Sequence, residues 1–199
     1  MINSIMYAIF IMIMVIIHFL KIKLKWNNKK TLFVIILVFI LCSLVVIFPI
    51  ENLVYEFDSL EHVSYYLGNR DIITFCESEK SGVVIYKENE TTHGYFYTLK
   101  KDDGYELPRI FNSERIANAT EKEISIFVDR VKNTNDYYVH VMILLDVGSD
   151  FVLTDSAMSE FNIYEDKVVS KTRVISAVAS INYSEDYFIN FNDSVVKFN

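Results

Sequence analysis

The sequence predicts a two-helix N-terminal transmembrane hairpin followed by an α+β, mainly β soluble domain, in which a short helix lies on a β-meander and a small β-sandwich-like unit follows. Three observations carry that expectation. Residues Ile2–Leu20 and Thr31–Ile50 hold no charged side chain. All 26 acidic residues lie at or beyond Glu51. From Asp71 onward, short apolar-alternating runs recur at roughly ten-residue spacing between turn residues, the pattern of a strand-rich domain.

Taken in order, each apolar run is long enough to cross about 30 Å of hydrocarbon at about 1.5 Å per residue. A lone segment in lipid must satisfy its own backbone hydrogen bonds, so each run reads as a helix, with spans at 2–20 and 31–50. Buried core helices would keep a polar stripe, and neither run has one. A cleaved signal peptide is not expected, because Met1–Ser4 carries no Lys or Arg and the chain continues as KIKLKW after Leu20. Lipoprotein processing at Cys42 is not expected either, since Leu41 stands where a small residue belongs. The connecting segment 21–30 holds Lys21, Lys23, Lys25, Lys29 and Lys30 and no acid. The positive-inside rule then makes it a cytoplasmic loop, so the expected localisation is the cell membrane, multi-pass with two helices, with the C-terminal domain extracytoplasmic. Trp26 fits a headgroup-level anchor, and the scarcity of polar residues in the spans, Ser4, His18, Thr31 and Ser43, fits an anchor better than a channel.

Removing the five linker lysines from 19 basic residues leaves 14 against 26 acids, so the domain from Glu51 on carries a formal charge of −12. Such a surface excludes nucleic acid as the expected partner, which needs a basic face. The lipid bilayer, another membrane protein or an envelope component are the partners expected instead. Cys76 is the domain's sole thiol, which rules out an internal disulfide. Sequons at Asn89, Asn118, Asn182 and Asn192 are no more than an Asn-rich chain produces by chance.

Residues 51–111 read as a helix plus meander. In FDSLEHVSYYLG, Asp58 is the expected N-cap, Leu60, Val63 and Leu67 form an apolar stripe, and Gly68 ends the helix. Strands are expected at 71–77, 82–87, 94–101 and 105–111. Asp103 and Gly104 suit the centre of a type I′ turn, setting Lys101 opposite Glu106, Tyr97 opposite Ile110 and Phe96 opposite Phe111. Pro108 places its strand at an edge. Residues 112–122 read as a polar linker, and 123–199 as a β-rich unit with strands at 123–131, 137–145, 159–164, 174–181, 187–191 and 194–198. The 137–145 strand is apolar on both faces and should be central. Asn192-Asp193 should turn a C-terminal hairpin pairing Phe191 with Ser194, Ile189 with Val196 and Tyr187 with Phe198.

The stretch FDSLEHVSYYLGNRDIITFCESEKSGVVIYKENETTHGYFYTLKKDDGYEL, with the tail DYFINFNDSVVKF, resembles small uncharacterised membrane-anchored or exported proteins of Gram-positive bacteria. In those, an FDSxE helix start leads into a short-stranded meander with an aromatic YFYTLKK strand. The likeness covers about residues 57–107 and the last forty, and it implies no catalytic residues.

Chemistry finds few footholds. His62, His93 and His140 show no zinc spacing. Five glycines in the whole chain build no phosphate loop, and no G-x-S-x-G elbow occurs. Ser194 and Lys197 match S-x-x-K, but on a strand they point to opposite sides. Asp146, Asp150 and Asp155 lack the spacing of a calcium loop. In Tyr65-Tyr66, Tyr95-Phe96-Tyr97 and Tyr137-Tyr138, one member of each group should enter the core. No catalytic, cofactor-binding or metal residues are therefore assigned. The expected function is a membrane-anchored extracytoplasmic binding or interaction module. A regulatory subunit acting through its transmembrane hairpin is the alternative, and an envelope hydrolase comes third.

Overall fold

The computed structural model describes residues 15–23, 25–47, 49–89, 92–102, 104–109, 112–169, 171–192 and 194–198. The chain divides into two compact units, Met1–Val54 and Tyr55–Asn199.

In the first unit residues 15–23 are helical, and a turn with Lys25 at φ 49° leads to α1 (Asn28–Ile47). Asn27 caps α1 by accepting a hydrogen bond from the Lys30 N–H at 2.8 Å, because the first backbone donors of a helix have no partner within it. The expected ten-residue lysine loop is thus shorter: Lys21 and Lys23 end one helix, and Lys29 and Lys30 open the next. Val15, Phe19, Phe33 and Phe39 are each more than 60% exposed.

Among the described residues no helix is long and apolar enough to cross a membrane. That corrects the expected transmembrane hairpin at 1–50 and the multi-pass membrane localisation, and the extracytoplasmic placement that rested on them falls too. Physically, α1 spends its first turn on Asn28, Lys29 and Lys30, leaving an uncharged run of 17 of its 20 residues, from Thr31 to Ile47. Those rise about 26 Å at about 1.5 Å each, short of about 30 Å of hydrocarbon. The helical residues 15–23 rise only about 14 Å by the same measure and end on lysines. The remainder of the first expected span, 2–14, lies outside the described residues.

The second unit is mostly β-sheet. Its helix α2 (Leu60–Leu67) begins one residue later than expected: Ser59, not Asp58, is the N-cap and accepts from the His62 N–H at 3.2 Å. Gly68 closes it at φ 90°, the left-handed conformation glycine takes at least cost. Twelve strands follow among the described residues: β1 (Ile72–Glu77), β2 (Ser81–Lys87), β3 (His93–Lys101), β4 (Gly104–Tyr105), β5 (Ser113–Glu121), β6 (Ile124–Val131), β7 (Tyr137–Asp146), β8 (Leu153–Asp155), β9 (Asn162–Val169), β10 (Thr172–Ile181), β11 (Phe188–Phe191) and β12 (Ser194–Lys197). They form three antiparallel sheets of order β1-β2-β3-β4, β5-β6-β7-β10-β9 and β12-β11-β8.

Side-chain alternation stacks these elements in layers. Leu60 and Val63 of α2 pack with Val84 and Tyr105 on one face of the first sheet. Its other face sends Val83, Ile85 and Tyr97 against Val131, Tyr138 and Val178 of the second sheet. The second sheet's far face, with Ile126, Val141, Ile143 and Ala177, closes on Ile189, Phe191 and Val196 of the third. Strand β7 is central, as its two apolar faces predict. The last hairpin has the expected register, Phe191 opposite Ser194 and Ile189 opposite Val196, with Asn192 at φ 51°.

Two further expectations are corrected. The polar linker at 112–122 contains β5, a nine-residue edge strand. It carries few large apolar residues because its core-facing positions, Ala117 and Ala119, need only small side chains. The Asp103-Gly104 turn is displaced: Lys101 pairs with Gly104 and Lys100 with Tyr105, and Asp102 takes the positive φ of 50°. Gly104 serves close approach instead, since a Cβ there would lie 2.9 Å from the Phe57 carbonyl oxygen. Phe57 and Tyr105 exchange backbone bonds at 2.9 and 2.8 Å. Lys101 accordingly pairs with Glu56 at 3.1 Å, and not with Glu106. The expected partners Ile110 and Phe111 lie outside the described residues.

Candidate functional site

Where the first and second sheets meet, alternation turns Tyr95 and Tyr97 of β3 toward β6 and β7. Tyr97, Asp129 and His140 are each 6% exposed or less there. The Tyr97 hydroxyl donates to Asp129 Oδ2 at 2.9 Å and lies 2.7 Å from His140 Nε2. A single phenolic proton cannot serve both, so His140 is the Nε2–H tautomer and donates to the Tyr97 oxygen. Asp129 Oδ1 accepts from Arg115 Nε at 3.1 Å. His140 thus donates through Tyr97 to Asp129, and the Asp129 carboxylate also accepts from Arg115, which emerges at the surface 47% exposed.

Arg115 is held on three sides. Its guanidinium carbon sits 3.8 Å from the centre of the Phe127 ring, and one Nη lies 3.3 Å from the Tyr95 hydroxyl. Phe127 stacks in turn on His140, centroids 4.6 Å apart and planes 9° apart. Burial lowers the His140 pKa to about 4, outweighing the Asp129 charge that pulls it up. Burial, reinforced by Asp129, pushes the Tyr97 hydroxyl well above its ordinary range.

A second buried network adjoins the first. Ser81 Oγ donates to Asp136 Oδ2 at 2.6 Å, the Lys80 N–H reaches the same oxygen at 2.9 Å, and the Tyr138 hydroxyl lies 3.0 Å from Ser81 Oγ. The Tyr97 and Tyr138 rings, 5.4 Å apart, join the two. These groups satisfy one another and pin the sheets together, which is the ordinary structural use of buried polar residues.

The three histidines are not brought together. His62 lies exposed in the first turn of α2, 3.8 Å from Asp58, His93 faces the Tyr164 ring at 6.0 Å, and His140 is buried on Tyr97. No cluster of three or more metal-ligating side chains exists among the described residues. Asp155 is 4% exposed and accepts from the Tyr187 hydroxyl at 2.8 Å and the Ser159 N–H at 2.7 Å, while Asp146 and Asp150 are exposed. Ser194 and Lys197 sit on strand β12, as the geometric objection to a Ser/Lys pair requires. One tyrosine of each strand pair is buried, Tyr97 and Tyr138, but Tyr65 and Tyr66 on α2 are both nearly half exposed. Clefts of about 290 and 430 Å³ open elsewhere, at Glu123, Leu145 and Asp146 and at Phe75, Cys76 and Glu77. Burial raises the Cys76 thiol pKa, so it stays protonated and unreactive.

No protein family, curated protein or solved structure matches the chain. The likeness to membrane-anchored or exported proteins therefore rests on the quoted residues alone. Reading the sequence without pairings misses Arg115 and Asp129, which become neighbours only through a β-bulge between Arg115 and Ala117.

Proposed function

We propose that the second unit is an interaction module that binds a partner protein where Arg115, Tyr95 and Phe127 converge, and does not transform it chemically. The observation that carries this is an exposed guanidinium fixed by a buried carboxylate at 3.1 Å and stacked on an aromatic ring at 3.8 Å. Side chains ordered before binding lose little entropy on binding, and Arg with Tyr is a common anchor pair at interfaces. The acidic balance of the unit, 14 basic against 25 acidic residues or −11 from Tyr55 on, supports a protein over a nucleic acid.

Catalysis is the weaker reading, because His140 spends its Nε2 proton on Tyr97 and burial holds it neutral. The test is quantitative capture with the full chain as bait, wild type against Arg115→Gln. Loss of at least about fivefold of a specific protein in the variant supports the module. Capture indifferent to Arg115 overturns it, as does turnover of ester or phosphate substrates by the purified chain that disappears in His140→Ala.

A further inference from the structure

The five-stranded sheet ends on two edges, and they differ. At the β9 edge, Asn162 Nδ2 reaches across to the Phe75 carbonyl of β1 at 3.2 Å. At the β5 edge, no strand among the described residues pairs with the outer side. The phase of the ladder decides what that side offers. Leu144 N–H donates to the Glu123 carbonyl at 2.8 Å, so Glu123, Ser125 and Phe127 turn their backbone groups toward β7. Ile124, Ile126 and Val128 then serve β5 through Glu121, Ala119 and Ala117. The N–H and C=O groups of Asn118 and Thr120 therefore point outward, two donors and two acceptors in line along an exposed stretch.

The charges beside that line are also ordered. Arg115 lies on β5 directly opposite Asp129, and Glu114 opposite Arg130, so these two acids are already paired, while Glu121 stands at the other end of the strand. Arg115 commits Nε to Asp129 and Nη2 to Tyr95, and Nη1 donates to no protein group among the described residues. A strand laid along the outer side of β5 would put one of its residues opposite Arg115, continuing the row that Asp129 begins. Opposite charges in that cross-strand position are mutually stabilising, and like charges are not.

Resting on the interaction-module reading, we infer that β5 is the docking edge for an extended segment of the partner protein, which adds as a strand and sets a carboxylate side chain opposite Arg115. Backbone bonds to Asn118 and Thr120 supply affinity without regard to sequence. The Arg115 position selects Asp or Glu at one register.

The probe is a capped ten-residue peptide of alternating Thr and Val with one central Glu, beside counterparts carrying Gln or Lys there. Hydrogen exchange of the full chain should slow at the Asn118 and Thr120 amides when the Glu peptide is added. Gln should bind about two- to fivefold more weakly, the size of one opposite-charge cross-strand pair, and Arg115→Gln should erase the Glu-over-Gln preference. Thr120→Pro, which removes an outward donor, should abolish the slowing at Asn118 while the inner amides of Ala117 and Ala119 stay protected. No slowing at β5, or slowing without Glu preference, overturns the inference. If Arg115-dependent capture nonetheless persists, the interaction module stands with a different docking mode. Protection of Asn118 and Thr120 in the peptide-free chain that disappears on dilution would assign the edge to a second copy of the chain and overturn it as well.

Discussion

Acidification should destabilise the second unit through one residue, and His140→Gln should remove that sensitivity. His140 faces Tyr97 and Tyr95 from β3, Asp129 and Phe127 from β6, and Arg115 from β5. Its pKa is lowered from 6.5 to about 4 in the folded chain, so the unfolded chain takes up a proton in a window where the folded one does not. Stability from this group is complete above about pH 6.5 and is lost as pH falls toward 4. Linkage puts the loss at about 2 kcal/mol between pH 7.5 and 5.0, and about 3 kcal/mol at the acid limit. Glutamine keeps an amide donor for the Tyr97 oxygen and does not titrate. Equilibrium urea unfolding at both pH values, followed by tyrosine fluorescence, reports the unit cleanly, because every tyrosine but Tyr7 lies in it and the single tryptophan, Trp26, lies in the other. The two proteins share every other titratable group, so the difference between their pH slopes reports His140. Slopes that agree within about 0.5 kcal/mol, the ordinary error of such extrapolations, would refute the buried neutral imidazole.

Other expectations follow from the same packing. Tyr97→Phe should cost about 2–4 kcal/mol in urea unfolding, because Asp129 and His140 each lose a buried partner. Deleting residues 195–199 should lower the melting temperature measured by circular dichroism, since Val196 is 1% exposed in a paired strand; an unchanged melting temperature would contradict that register. Gly104→Ala should destabilise by about 1–3 kcal/mol in the same assay as the 2.9 Å approach to the Phe57 oxygen is forced apart. Iodoacetamide should label Cys76 slowly in the native chain and quickly in urea, because its thiol is buried.

Much of the β architecture was legible because it depends on local pattern. Two-sided apolarity marked β7 as central, and Asn192 marked the last turn. Gly104 and β5 escape a local reading because their roles are set by tertiary neighbours. Gly104 looked like a turn glycine, yet its missing side chain makes room for the Phe57 backbone. The segment carrying β5 looked like a linker because an edge strand facing the core with alanines has no apolar signature. Its charges did hold a clue. Without the bulge, the hairpin turn at Lys122-Glu123 would set Arg115 against Arg130; with it, Arg115 meets Asp129 and Glu114 meets Arg130. At the N-terminus, absence of charge alone implies full spans, whereas α1 uses its first turn on Asn28, Lys29 and Lys30, and residues 15–23 close on Lys21 and Lys23.

Recognition of a protein at the Arg115 surface and the β5 edge can be read out by site-specific photo-crosslinking in the full chain. A benzophenone side chain placed at Asn118, on that surface, is compared with one at Met158, which is 94% exposed in the loop between β8 and β9. A discrete crosslinked protein is expected from position 118, lost when Arg115→Gln is added, and none from position 158. Equal yields from both positions, or a crosslink at 118 indifferent to Arg115→Gln, would contradict it.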